Sequence, residues 1–272
     1  MNTGYAMTLK SKIDFTPLAI FSSNYVWACT DWQRRETYIV DPGEPNAVLE
    51  FLHKHELKLK GILITHSHND HIGGISHIIA QHCAPVYGPE HPKLPRLHRT
   101  LSEGDSFELW PGCVASIMNL PGHLPEHIAY LLQGETLNAD SLLCGDVIFS
   151  SGCGRMFDGT PAQFCDSVQR ISELDPNTIL YCTHEYTLDN IAFAQHIEPD
   201  NEALEKKRVA AQASLAQRRC TLPTTVEIER ETNPFMRCKS PKIFSALARI
   251  KGAVPRDSVQ AFEWLRALKD DF

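Results

Sequence analysis

Nowhere in this chain does an apolar run approach the roughly 18 consecutive residues that a membrane-spanning helix needs, so no helical span is expected. Positive charge is also in short supply. Lys and Arg total 26 against 33 Asp and Glu, a formal charge of -7, which argues against an extended nucleic-acid surface. A disulfide framework is missing too: the nine cysteines are an odd number at irregular spacings, and reduced thiols in a cytoplasmic protein are the simpler expectation. The start of the chain offers Lys10 and Lys12, but Asp14 and Pro17 come too soon after them for a secretory apolar segment to form. Met7 provides an alternative start. What remains is a soluble chain of 272 residues, 43% hydrophobic and 22% charged, enough for one large domain or two moderate ones.

The stretch from Gly61 to Ile75 organises the rest. Ile62, Leu63 and Ile64 form a short run that fits a buried strand, and it stops at Thr65. His66, His68, Asp70 and His71 come next, within six positions. After Gly73 and Gly74, the spacing of Ile72, Ile75, Ile78 and Ile79 fits one helix face. A single His is usually a surface or hydrogen-bonded core residue. Three His and one Asp this close together, between a strand and a helix that fix the loop, instead predict a metal site. His66 and His68, at alternate positions, can converge if the chain is extended. Asp70 and His71 are adjacent and do not easily reach the same point, so the four divide into two pairs and suggest two metals. Zinc, iron and manganese all accept such ligands.

Strand formers dominate residues 18–30 and 37–40, with a polar connection at 31–35 and a turn at Asp41-Pro-Gly43. A helix is predicted over 46–56, a short strand over 83–88 and a loop over 89–105. Strand-like segments at 106–110, 113–120 and 127–133 come in close succession and predict a mixed or largely antiparallel sheet with helices outside. Single candidate ligands then recur just beyond probable strands: His123 with His127, Asp146 and His184. Asp146 interrupts the apolar run 142–149, and a carboxylate there calls for a partner cation. Thr160, Pro161 and Gln163 spell a capped helix start. Beyond residue 186 the pattern turns helical: 187–196, 201–219, 241–251 and a last helix capped by Asp257, with Val259, Phe262, Leu265 and Leu268 as its inner stripe. Residues 221–232 read as a polar link. The expected division is a sheet-based domain over 1–186 and a helical domain or lid over 187–272.

The run from Thr65 to His71 resembles the signature of the metallo-beta-lactamase superfamily. Within that superfamily, nearly the whole chain from Phe21 to Phe272 is similar to glyoxalase II, the hydroxyacylglutathione hydrolases. Asp41-Pro-Gly43, Pro121-Gly-His123, Gly145-Asp146, the segment from Gly152 to Gly159, His184-Glu-Tyr186, Asn233-Pro-Phe-Met-Arg237 and the segment from Trp264 to Lys269 carry that likeness in order. The resemblance implies an α+β fold, an alpha-beta/beta-alpha sandwich with a C-terminal all-helical domain. It implies one metal on His66, His68 and His123 and a second on Asp70, His71 and His184. Asp146 and a water-derived hydroxide would bridge them, with Asp70 and Asp146 orienting metals and nucleophile. Two divalent ions per chain, zinc first and iron or manganese as alternatives, are expected. Arg155, Tyr186, Arg266 and Lys269 match the positions that bind glutathione.

The implied reaction is hydrolysis of S-D-lactoylglutathione and related thioesters to glutathione and a hydroxy acid. The expected enzyme is a cytoplasmic monomer with a small-molecule substrate and neither nucleic-acid nor membrane partners. Phe157 stands where some relatives have Tyr, which would remove a phenolic hydrogen bond to the peptide. Glu126 replaces a usual Gly and is expected to face water. A persulfide dioxygenase would use one iron and would not be expected to keep the Arg266-x-x-Lys269 helix; some zinc lactamases place Cys where Asp146 stands.

Overall fold

A computed structural model describes residues 12–94 and 97–272; Met7 and Lys10 lie outside them. The first half of the chain contains β1 (Ile13–Ile20), β2 (Asn24–Asp31), β3 (Glu36–Val40), α1 (Asn46–His55), β4 (Lys58–Leu63), α2 (Asn69–Ile72), α3 (Ile75–Gln81), β5 (Val86–Gly88) and β6 (Arg99–Thr100). Its six strands form one sheet in chain order, antiparallel from β1 to β3 and parallel from β3 to β6. The second half adds β7 (Ser106–Trp110), β8 (Cys113–Asn119), β9 (Ile128–Gln133), β10 (Ser141–Gly145), β11 (Ile148–Phe149), β12 (Gly152–Cys153), α4 (Pro161–Ser172) and β13 (Ile179–Cys182). Then come α5 (Thr187–Ile197), α6 (Glu202–Ala216), β14 (Thr224–Thr225), α7 (Val226–Thr232), α8 (Pro241–Lys251) and α9 (Ser258–Asp270). The second sheet runs β14-β13-β10-β9-β8-β7, while β11 and β12 pair with each other.

The layers arise from the two-residue period of the strands. In the first sheet, Trp27, Tyr38 and Leu63 point to the core shared with Ala115, Ile117, Tyr130 and Leu142 of the second. Their neighbours Val26, Ile39 and Ile62 point the other way, onto Val48 and Leu52 of α1 and Ile75 and Ile78 of α3. On the far side, Phe164 and Val168 of α4 meet the same central core as Phe262 and Leu265 of α9. The result is helix, sheet, sheet, helix: the expected sandwich. Among the described residues no helix is long and apolar enough to cross a membrane.

Four local readings change, the first being that Arg99–Thr100, inside the expected loop 89–105, pairs with β5 as β6. The strand-rich stretch 18–30 is a hairpin, because Phe21 turns into the left-handed region (φ 50°) and residues 21–23 form its tip. The Ile-rich helix is two short helices, interrupted at Gly73 and Gly74. Residues 221–232 are no mere link. Thr224–Thr225 extends the second sheet beside β13, and Thr225 caps α7 through the Ile228 N–H. Composition hid this because Glu229 of α7 is fully buried. Its carboxylate accepts from the Ser151 N–H, Thr224 Oγ1, Asn233 Nδ2 and Lys207 Nζ. A buried charge so fully bonded ties α6 and α7 to the turn between β11 and β12, and that turn leads directly to Arg155.

Candidate metal centre and its cleft

The ligand candidates leave strand ends or the turns after them, except Asp70 and His71, which sit in the short helix α2. Asp41 comes just after β3 with φ 51°, and its carboxylate takes the Thr65 N–H at 2.8 Å and the Thr65 hydroxyl at 2.7 Å. That fixes the chain as it emerges from β4 into His66 and His68. Gly43 packs on the same loop so closely that a Cβ there would sit 1.9 Å from the Asp70 carbonyl oxygen. Gly145, ending β10, has φ 50° and no room for a Cβ, which would lie 2.5 Å from Thr65 Oγ1 and 2.6 Å from His127 Nε2. Left-handed backbone without a side chain is what only glycine tolerates cheaply, and it turns Asp146 inward.

The seven expected ligands meet. Nitrogen atoms of His66, His68 and His123 lie within 4.8 Å of one another, as do ligand atoms of Asp70, His71 and His184. His68 Nδ1 is 3.2 Å from His66 Nε2 and 2.9 Å from His123 Nε2, near the roughly 3.3 Å edge of a tetrahedron of nitrogens about one zinc-sized ion. Asp146 stands between the groups. Its Oδ2 is 3.5 Å from His123 Nε2, and its Oδ1 is 3.4 Å from both His71 Nε2 and His184 Nε2. Asp70 Oδ2 lies 3.5 Å from His71 Nε2 and 3.6 Å from His184 Nε2. His71 Nε2 is buried without a hydrogen-bond partner. Such separations are those of ligands sharing ions, and the donor set fits a dinuclear divalent-metal site.

The outer nitrogens set the tautomers. His123 Nδ1 donates to the Arg155 carbonyl at 2.7 Å, and His71 Nδ1 to Asp41 at 3.1 Å. His66 Nδ1 donates to Thr65 Oγ1 at 3.0 Å, since that hydroxyl already gives its proton to Asp41. All three therefore aim Nε2 inward, as a free lone pair in His66 and His123. A third possible triad, Asp41 with His66 and His71, also exists, but the Asp41 oxygens are already engaged by Thr65 and the far side of His71. Asp41 orients ligands.

Burial and neighbouring charge divide the titrating groups between them. His66 and His127 are held well below the usual imidazole range by burial and then by neighbouring imidazoles, and His68 and His123 are lowered by burial as well. For His71 burial acts downward, but Asp146 and Asp41 outweigh it and raise its pKa well above the ordinary value. Burial likewise opposes ionisation of Asp146, yet His71 and His184 hold it well below the carboxylate range.

From the metal group a cleft runs outward to Arg155, Tyr186, Arg266 and Lys269. Tyr186 stacks on His184 with ring centres 4.8 Å apart. The Arg155 side chain is 70% exposed, with Nε 3.8 Å from Asp270. Lys269 Nζ is half-buried, donates to the Asp189 carbonyl at 3.2 Å and faces the Phe193 and Phe272 rings. Arg266, matched to a glutathione-binding position, is not a free cation at the surface. It is 5% exposed, and its guanidinium donates to the Cys153 and Gly154 carbonyls and to Asp270. Arg266 therefore holds the loop that presents Arg155. Phe157, 57% exposed, stands edge-on to His68 and His123. Glu126, expected to face water, is instead partly buried and accepts from Ser67 Oγ at 2.6 Å.

Three further side chains support the ligands: His127, a sequence candidate that proves to be a support, and Asn24 and Thr183, which carry too little local signal to be found from sequence. Asn24 Nδ2 donates to Asp70 Oδ2 at 2.9 Å, Thr183 Oγ1 donates to Asp146 Oδ1 at 2.5 Å, and His127 Nε2 accepts the Asp146 N–H at 3.0 Å. His127 at least adjoins a recognised motif; Asn24 and Thr183 have no mark of their own.

A two-sheet sandwich with paired His/Asp groups at its strand ends defines a metallo-beta-lactamase-type metalloprotein. Residues 21–184 match the family model of the metallo-beta-lactamase superfamily, and residues 185–272 match that of the hydroxyacylglutathione hydrolase C-terminus. A hydroxyacylglutathione hydrolase of Shewanella baltica is 37% identical and one of Pseudomonas aeruginosa 40%, each match covering 96% of this chain and 100% of the relative. The chain belongs to the hydroxyacylglutathione hydrolase family. The crystal structure of ETHE1 from Myxococcus xanthus shares the fold, with a TM-score of 0.62 and 23% identity over 93% of this chain and 98% of that one.

Proposed function

We propose that this chain hydrolyses thioesters of glutathione, S-D-lactoylglutathione foremost, to glutathione and D-lactate. The observation that carries the reading is one continuous cleft, with seven convergent metal-ligand candidates at one end and Arg155 and Lys269 at the other. The names of the relatives agree with it. In this reading His66, His68 and His123 hold one divalent ion, Asp70, His71 and His184 hold the second, and Asp146 serves both. Zinc is the ion we assign. Bound there, two such cations supply a water activated at neutral pH and a Lewis acid for the thioester carbonyl.

The chain's own groups do the rest. Neutral His66 and His123 keep lone pairs inward, and Asp70 and Asp146 set the negative charge that fixes the centre. Arg155 and Lys269 bind the two glutathione carboxylates, Tyr186 walls the peptide, and Arg266 holds the loop from behind. A thiolate is a good leaving group and needs no acid beside it, which fits a site where the buried carboxylate is ionised. Phe157 gives this wall an apolar face without a phenolic hydroxyl. The helices after residue 186 act as the substrate-binding domain. Nine free thiols and the charge of -7 support a cytoplasmic, monomeric enzyme with no nucleic-acid partner.

Relative kcat/KM on S-D-lactoylglutathione, bis(p-nitrophenyl) phosphate and a beta-lactam tests the reading. The thioester should lead by orders of magnitude; a preference for either other substrate overturns it.

A further inference from the structure

We infer that Thr183 is a positioning residue that selects which oxygen of Asp146 serves which metal position, and so sustains the position formed by Asp70, His71 and His184. The inference rests on the proposed two-ion centre. Thr183 comes just after β13 and is 2% exposed. Its hydroxyl lies 2.5 Å from Asp146 Oδ1 and 3.1 Å from the Gly145 carbonyl oxygen. One hydroxyl has one proton, and the nearer, charged acceptor takes it.

That oxygen is not interchangeable with its twin. Oδ1 is 3.4 Å from His71 Nε2 and from His184 Nε2, while Oδ2 is 3.5 Å from His123 Nε2. The Asp146 backbone is held by His127 and by the turn at Gly145. Its terminal torsion is nonetheless soft. A donor on Oδ1 alone fixes the carboxylate plane, and hence the division of its two oxygens. Thr183 suits that task because its own place is fixed. Its carbonyl accepts the Tyr25 N–H at 2.7 Å, and the next residue, His184, bridges to Asn24. A β-branched side chain on such a backbone has few rotamers to choose from.

The two metal positions then depend unequally on the hydroxyl. Three imidazoles bound the first position without it. The second has two imidazoles and Asp70, and leans on Oδ1 for its remaining ligand. Removing a group that orients a ligand typically weakens metal binding about 10- to 100-fold, and here the loss should fall on one ion of the two.

Zinc titration of metal-free wild type, T183S and T183V, read as ions bound per chain against free zinc, tests this. Wild type and T183S should each bind two ions with similar affinities. T183V should bind its first ion as wild type does and its second about 10- to 100-fold more weakly. Unchanged affinities in T183V, an equal loss at both positions, or T183S behaving like T183V would each overturn the inference. Should T183V melt too low to titrate, T183A removes the hydroxyl without adding a methyl and must show the same split. A wild type that binds only one ion would contradict the two-ion reading itself, a different failure from two equally bound ions in T183V.

Discussion

The two ends of the cleft are built differently. At the metal end, the orienting bonds of the imidazoles and carboxylates are set before any ligand arrives: Asp41 holds Thr65 and His71, the Arg155 carbonyl holds His123, and Asn24 and Thr183 hold the two carboxylates. At the cationic end, Arg155 is largely exposed and Lys269 has one backbone acceptor. Preorganisation is worth most where charge develops in the transition state. Binding that is equal in ground and transition states needs only attraction. The metal end should therefore govern kcat, and the cationic end KM.

Removing Asp146 should break the metal end most severely. Loss of an orienting residue alone costs about 10- to 100-fold at metal sites, so D146A should lose more than about 100-fold in kcat/KM together with at least one bound ion. Elemental analysis beside steady-state kinetics checks both, and a fully active D146A refutes the bridging role.

Proton linkage gives the next largest effect. In the metal-free chain the pKa of His71 is raised, so an ion arriving at Nε2 must displace a proton. Metal affinity should climb with pH, by up to about tenfold per unit for one proton, and level off above the folded pKa of His71. Stability has its own signs. The raised pKa of His71 contributes stability that is present below its unfolded value and lost as pH rises through the folded one. Asp146, depressed, contributes stability that is lost as pH falls through its folded value. His66 and His127, buried and lowered, favour unfolding as pH drops below about 6.5. Calorimetric zinc titration across pH reads the affinity; a slope of the opposite sign contradicts this account.

Among the cations the comparison sharpens. Lys269 is half-buried beside aromatic rings, and K269A should raise KM about tenfold with kcat little changed, the lower range for a charge-assisted bond. R266A should behave otherwise. It leaves two carbonyls of the Arg155 loop without their donor, about 1 to 3 kcal/mol of stability for each group left unsatisfied, so its melting temperature should fall along with its affinity for substrate. R155A, the most exposed, should raise KM only a few-fold and should lose that effect at high salt. Kinetics and thermal melts of the three variants rank them.

The same contrast decides what was legible in the sequence. His66, His68, Asp70 and His71 advertise themselves because chemistry demands rare residue types at close spacing, and strands with a two-residue period announce the layers. His123, Asp146 and His184 become legible by recurrence at strand ends. Arg266 and Lys269 share a helix face by spacing, yet packing alone separates a buried clamp from a half-exposed cation. Asn24, Thr183 and Glu229 act through distant backbone and side-chain partners, and ordinary polar residues give no local sign of that. The hairpin tip at Phe21 was hidden in a run of strand formers, where a single left-handed residue breaks the strand.

The division of labour is tested most directly by two lactoyl thioesters that differ only in the thiol: S-D-lactoylglutathione and S-D-lactoyl-N-acetylcysteamine, which lacks both carboxylates. If the cationic end binds and the metal end reacts, the glutathione thioester should be favoured by about 30-fold or more in kcat/KM, the tenfold of Lys269 multiplied by the few-fold of Arg155, with the difference carried by KM and kcat nearly equal. Equal kcat/KM for the two thioesters, with wild-type metal content, would contradict the account.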